Sequence, residues 1–275
     1  MMESRAPVHV ISLLRSGRRD AIARLLADRG AVFHIEDAVD GKTLAPGELN
    51  AAYDAEAARR RYGRSLTCAE VACFMSHRSV WRKIADTGRA AVVLEDDAML
   101  EPAFFTNVLR ANESELAAQA DIVLLGRSKL RRAASSWTYF NEPLRRAAVV
   151  AGLRVGVPFK QWTSGSVGYW ISAQAARHAL AYTDGRIGAL LDDWPWHRDH
   201  GGARVVELRP YAVWEDFERL PSSIERERKA STAPRPVWRG AVLGPLRLVR
   251  TAARWSVVGF RWALLFNGAS GARHE

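Results

Sequence analysis

Ala90-Ala91-Val92-Val93-Leu94-Glu95-Asp96-Asp97 is the stretch that decides the fold. Five apolar residues run without alternation and then meet three carboxylates. An unbroken apolar run of this length reads as a strand covered on both faces, as in a sheet with helices packed on either side. Asp121–Leu125 (DIVLL) and Val8–Leu14 (VHVISLL) read the same way, and Val32–Ile35 as a further strand. Between them lie helical stretches. One opens at Ser16-Gly17-Arg18-Arg19 and closes at Gly30, one covers Pro46 to Tyr62, one runs from the Thr67-x-x-Glu70 capping box to about Ala85, and one runs from Pro102 to about Ala118. The alternation predicts an α/β layer with a mostly parallel sheet. Residues 127–163 read as loops and a variable lid. Val167–Ser172 (VGYWIS) reads as a strand, with Ser172 capping a helix to Tyr182, and Arg204–Arg209 as a last strand.

The composition sets outer limits. The chain has 275 residues, 48% hydrophobic and 25% charged, within the range of soluble globular domains and outside that of disordered, collagen-like or polytopic membrane chains. Lys and Arg total 40 against 30 Asp and Glu, a formal charge of +10, which implies an anionic partner. Residues 235–275 carry seven Arg and one Glu, so about six of the ten net charges lie there. The organisation expected is a domain over 7–224, a charged linker over 225–236, and a basic helical tail over 237–275. Cys68 and Cys73 are the only cysteines, and at that spacing on a helix they face apart, so a disulfide is not expected. A reduced, cytoplasmic setting is the default, with no secretory signal recognisable at the start.

Three stretches carry candidate chemistry. Glu95, Asp96 and Asp97 stand at the carboxyl end of a buried strand, where open α/β sheets bind ligands. Three adjacent carboxylates repel one another unless a cation sits among them, and hard oxygen ligands suit Mg²⁺ or Mn²⁺ bridging to phosphates. A solvated acidic turn ahead of Pro102 is the alternative. Glu70, Cys73, His77 and Trp81 share one helix face, so Ser76-His77 either forms part of an inward polar patch or belongs to an ordinary core. Asp40-Gly41 would either hold a ribose or sugar hydroxyl or make a simple turn.

Taken in order, VHVISLLRSGRR at 8–19, AVDG at 38–41, LTCAEVACFMSH at 66–77, VVLEDD at 92–97 and GYWIS at 168–172 resemble the family 25 glycosyltransferases. These are the bacterial lipopolysaccharide and lipooligosaccharide enzymes related to the collagen galactosyltransferases. The resemblance runs from about Val8 to Ile224, weakly over 127–163. Ala72 departs from the family's usual glycine. The resemblance implies a GT-A nucleotide-sugar fold, a UDP-sugar donor (commonly UDP-galactose) and a divalent metal, Mn²⁺ or Mg²⁺. It places the acidic metal motif on Glu95-Asp96-Asp97, with Asp97 on the metal and Glu95 on the metal or ribose. Ser12 and Leu13 would line the nucleotide pocket, with Arg18 or Arg19 near the diphosphate, and Asp40, Gly41, Ser76 and His77 would complete the donor side. The reaction implied is inverting and needs one base. Asp192 or Asp193, in LLDDWPW, is the first choice, with Glu215 and Asp216 left open.

The acceptor expected is a cell-surface glycan or lipid-linked glycan. Arg239, Arg247, Arg250, Arg254 and Arg261 follow helical spacing, with Trp255, Trp262 and Phe266 beside them, the pattern of an interfacial helix on an anionic surface. That predicts a peripheral protein on the inner face of a bacterial inner membrane. Two other readings compete: a metal-dependent phosphohydrolase using the acidic triplet, disfavoured by the absence of a His-rich cluster in the sequence, and a non-catalytic basic membrane- or nucleic-acid-binding module. Because the basic charge is concentrated in the tail, no nucleic-acid partner is expected.

Overall fold

A computed structural model describes residues 5–161, 165–217 and 248–261. Its centre is β3 (Ala91–Glu95), whose side chains alternate between two cores. Ala91 and Val93 pack with one hydrophobic cluster, Val92 and Leu94 with the other, and all four are buried. Coverage of both faces is why the run carries no polar alternation. β1 (Val8–Ser12) lies between β3 and β2 (Phe33–Asp37), parallel to both.

The rest of the sheet is mixed rather than mostly parallel. β8 (Gly168–Ile171) inserts antiparallel between β3 and β5 (Ile122–Leu124). β9 (Val205–Arg209) runs parallel to β5 on its other side. The stretch expected as loops contains a hairpin, β6 (Leu144–Val150) and β7 (Leu153–Pro158), which extends the sheet through β7 and β9. The order is β2-β1-β3-β8-β5-β9-β7-β6, eight strands. Apolar periodicity marks a strand without giving its direction, so β8 was legible as a strand and not as the antiparallel insert. A second, two-stranded sheet pairs β4 (Ala98–Leu100) with β10 (Val213–Glu215), setting Glu215 opposite Ala98.

The helices explain their own ends. In α4 (Cys68–Thr87), Thr67 accepts from the Glu70 backbone N–H and Glu70 accepts from that of Thr67, the reciprocal box expected. The helix expected over Pro46–Tyr62 is two, α2 (Pro46–Ala52) and α3 (Ala55–Tyr62). The break falls where Tyr53 bridges to Ile187 and Asp54 caps α3 through the amides of Glu56 and Ala57. The helix expected from Pro102 to Ala118 likewise divides, into α5 (Pro102–Thr106) and α6 (Glu113–Gln119), with Asn112 capping the second. α4 and α8 (Ala173–Tyr182) pack together on one face of the sheet, and α1 (Arg19–Asp28) contributes Ile22 and Leu26 to the other. Between Lys129 and β6 lies α7 (Ser135–Asn141), and α9 (Trp194–Gly201) follows Asp193. Both cysteines are free.

Of the expected tail, residues 248–261 form a helix, here α10. It lies against α7: Thr251 donates to Asn141 Oδ1 at 3.0 Å, Arg254 to the Asn141 carbonyl at 2.8 Å, and Trp255 Nε1 to the Phe140 carbonyl at 2.9 Å. Arg254 is therefore turned to the domain, not part of an outward stripe. The linker, Arg239, Arg247, Trp262 and Phe266 lie outside the described residues. No helix among the described residues is long and apolar enough to cross a membrane.

Candidate active site

The parallel register of β1 and β3 pairs Ile11 with Glu95, so both strands end together and open one crevice at their carboxyl ends. The acidic turn after β3 is tied to the loop after β1. Ser12 and Ser16 donate to Asp96 Oδ2 at 2.7 and 2.5 Å. Arg18 reaches across to Asp97 Oδ2 at 3.2 Å and Asp96 Oδ1 at 3.5 Å. The Asp216 backbone N–H donates to the Asp97 carbonyl at 3.0 Å, which brings the β10 carboxylate of Glu215 alongside. Asp192 and Glu215 both repel Glu95.

Carboxylates crowd one another here. Burial first, then the neighbouring Glu215, push the Asp97 carboxyl up to about 7, against the pull of Arg18. Glu95 is pushed well above the carboxylate range by burial and then by Asp97. Its side chain is 30% accessible, because it lines a concave cleft whose walls still crowd out most of its solvent. Asp97 Oδ1 is buried with no hydrogen-bond partner. Orphaned oxygen, mutual repulsion and hard donors together fit a divalent cation, which would restore both carboxylates to their ionised form. Asp97 and Glu95 are the residues that would hold it.

The other expected site residues divide. Ser12, Arg18, Glu95, Asp96 and Asp97 meet at the crevice, and Leu13 follows on its rim, 39% exposed. Arg19 pairs with Asp37 at 2.5 Å. Asp40 makes an Asx turn by accepting from the Lys42 amide at 3.0 Å. A Cβ on Gly41 would lie 2.7 Å from the Cys68 carbonyl, so Gly41 is there for a close backbone approach to α4. Ser76 is buried and fully used, accepting from the Val39 amide at 2.9 Å and donating to the Ala72 carbonyl at 2.8 Å. His77 is buried beneath Glu95, and burial lowers it to about 3, so it is neutral.

Asp192 and Asp193 are adjacent in sequence and differ in every other respect. Asp193 is 1% exposed and caps α9 through the Trp196 amide at 3.1 Å. Arg61 and Tyr62 close over its other oxygen, Tyr62 at 2.6 Å. Burial opposes these bonds, yet their sum holds its carboxyl below the usual range. Asp193 is a keystone between α3 and α9. Asp192 is half-buried and within electrostatic range of Glu95 and Cys73. Trp81 and Tyr169 lie within stretches the sequence singles out, but nothing in the sequence brings them together behind His77, and Ser166 carries no signal at all.

The structure thus holds a mixed eight-stranded sheet with a group of carboxylates at the carboxyl ends of its leading strands. The family model for glycosyltransferase family 25 (LPS biosynthesis protein) matches residues 5–193, and the chain belongs to that family. Human procollagen galactosyltransferase 2 is 31% identical over 169 residues, 59% of this chain and 25% of that protein. A glycosyltransferase 25 family member of Drosophila melanogaster is 31% identical over 172 residues, 61% of this chain and 26% of its own length. Zebrafish (Danio rerio) procollagen galactosyltransferase 1 is 30% identical over 185 residues, 63% and 28% respectively. The chain spans about a quarter of the length of these relatives.

Proposed function

We propose that the protein transfers a hexose, galactose, from a UDP-sugar to a lipopolysaccharide, lipooligosaccharide or other cell-surface glycan acceptor, with inversion and with Mn²⁺ or Mg²⁺. The observation that carries the reading is the mutually repelling pair Glu95 and Asp97 at the end of β3, with Asp97 Oδ1 orphaned and Glu215 alongside. The family and the names of the relatives support the donor sugar.

Asp97 and Glu95 would hold the ion, whose chemistry is to offset charge on the departing diphosphate. Arg18, which contacts Asp97 Oδ2 and Asp96 Oδ1, adds a fixed cation where that charge develops. Ser12 and Ser16 lock Asp96, and through it the nucleotide-facing loop after β1. Asp192 takes the proton from the acceptor hydroxyl. The hydroxyl oxygen then bonds to the anomeric carbon as the carbon–oxygen bond to the diphosphate breaks, its electron pair leaving with the diphosphate. One displacement inverts the centre and needs no covalent intermediate. Release of UDP from a panel of UDP-sugars, with Mn²⁺ and with EDTA, tests the reading. One UDP-hexose should be preferred and EDTA should abolish release, whereas phosphate release indifferent to the sugar would establish a phosphohydrolase instead.

The α10 helix supports a peripheral position on the inner face of a bacterial inner membrane. Arg250 and Arg261 are exposed on it beside Leu248, Val249, Val257 and Phe260, and Trp137 and Phe140 of α7 stand exposed nearby. Truncation after Ser231 should leave donor hydrolysis intact, abolish sedimentation with anionic liposomes and slow transfer to a lipid-linked acceptor only. Liposome binding that survives truncation at low salt would refute it.

A further inference from the structure

Cys73, His77 and Glu95 bring a sulfur, a ring nitrogen and a carboxylate oxygen within 4.8 Å of one another. By residue type this is a transition-metal set. The hydrogen bonds behind His77 say otherwise. Trp81 Nε1, which can only donate, gives its proton to the Tyr169 hydroxyl oxygen at 2.8 Å. The same oxygen lies 2.8 Å from His77 Nδ1. Tyr169, Trp81 and His77 are all buried. Were Nδ1 protonated, the Tyr169 oxygen would receive two donors and its own proton would be stranded in the core. Tyr169 therefore donates to Nδ1, and the neutral ring carries its proton on Nε2. A protonated ring nitrogen offers no lone pair to a metal.

That Nε2 is buried and has no hydrogen-bond partner. It faces Glu95, with Oε1 3.8 Å away. We propose that His77 is a positioning residue: its Nε2–H, fixed by Tyr169 and Trp81, is the donor that sets the direction of the Glu95 carboxylate in the loaded cleft. A movement of about 1 Å by Glu95 completes the bond. Ser166 stands close enough to the same carboxylate to favour its charged form. A bond from His77 to Oε1 leaves the other lone pairs of Glu95 for whatever occupies the crevice. The supports are rigid, since His77 and Trp81 lie on α4 and Tyr169 on β8, the strand paired with β3. The role of Glu95 as a ligand-facing group rests on the function proposed above; the hydrogen-bond order does not.

The experiment uses the full chain labelled with ¹⁵N-histidine. Wild type should show His77 protonated at Nε2, and Tyr169→Phe should lose that single tautomer. Calorimetry with UDP and Mn²⁺ should then show binding weakened roughly 10- to 100-fold in His77→Leu, the usual scale of a lost hydrogen bond to a charged group, and largely restored in His77→Gln, which returns an N–H donor. Zn²⁺ alone should leave the Nε2 proton in place. An Nδ1–H tautomer in wild type, displacement of the Nε2 proton by Zn²⁺, or wild-type UDP affinity in both a folded His77→Leu and Tyr169→Phe would overturn the proposal. Failure of the donor reading would appear separately, as no UDP binding by wild type.

Discussion

The wall around Asp193 and the turn at the end of β3 each bury acid, and they treat it in opposite ways. Asp193 is closed in by Arg61, Tyr62 and the first turn of α9, and its carboxyl is held low. Asp97 faces Glu215 and Glu95 against the pull of Arg18, keeps an orphaned oxygen, and is pushed up to about 7. A completed network is a structural part, and an incomplete one waits for something from outside the chain. Sequence neighbours can differ sharply in burial, as half-buried Asp192 and enclosed Asp193 do.

The comparison breaks most visibly at Asp97. Asp97→Ala should lower transfer by at least roughly 10³-fold, the scale of losing electrostatic stabilisation at the reacting centre. It should also remove Mn²⁺-dependent thermal stabilisation by UDP without lowering the melting temperature of the metal-free protein. Near-normal turnover in the presence of EDTA would end the metal assignment. Next comes Asp192→Asn, expected to lose roughly 10²–10⁴-fold in kcat with UDP affinity unchanged. If it turns over normally while Glu215→Gln does not, the proton acceptor is Glu215.

Asp193→Ala should show the reverse pattern. It strips partners from Arg61, Tyr62 and the α9 amide, so stability should fall by about 2–3 kcal/mol, seen as a melting point lower by roughly 5–10 °C. At a temperature where the variant is folded, its kcat should stay near wild type, and a large selective loss of kcat would contradict the structural assignment.

The smallest effect is the pH dependence of stability in EDTA. A carboxyl whose folded value, about 7, lies above its unfolded value, 3.8, binds more protons folded than unfolded between those limits. Stability contributed at Asp97 therefore falls as pH rises from about 4 to about 7. Asp193, lowered on folding, contributes stability at neutral pH that is lost as the solution is acidified below the ordinary carboxyl range. Melting curves of wild type and Asp97→Asn over pH 4–8 should show a shallower decline in the variant, and Mn²⁺ should flatten the wild-type curve. Parallel curves would mean that Asp97 is not the uncompensated group.

The leading half of the fold could be read from residues alone because its physics is local. An apolar run covered on both faces and a Thr67–Glu70 box declare themselves within a few positions. The hairpin β6–β7 did not, because β6 is an edge strand whose Arg145 and Arg146 are exposed, so it lacks the apolar pattern of its neighbours. The acidic turn was legible as a site for the same reason as β3. Its completion by Glu215 was not, because that residue arrives through the antiparallel pairing of β4 and β10. Gly41 and Ser76 looked like ligand residues in their motifs, and their work is contact between the 38–41 loop and α4, which only three-dimensional packing discloses.

The placement of β9 has a consequence for synthesis. It lies between β5 and β7, so the hairpin of 144–158 is made well before the strand that joins it to the sheet. At ordinary ribosomal speeds that interval is on the order of seconds, during which β5 keeps one open edge and the hairpin has no partner. The last strand among the described residues, β10, is also the one that delivers Glu215. A nascent chain halted after residue 193, where the family match stops, would have its acidic turn but neither β9 nor Glu215. Such a product should be captured by chaperones rather than accumulate as a partial enzyme, so the cell would gain catalysis only after the final strands emerge.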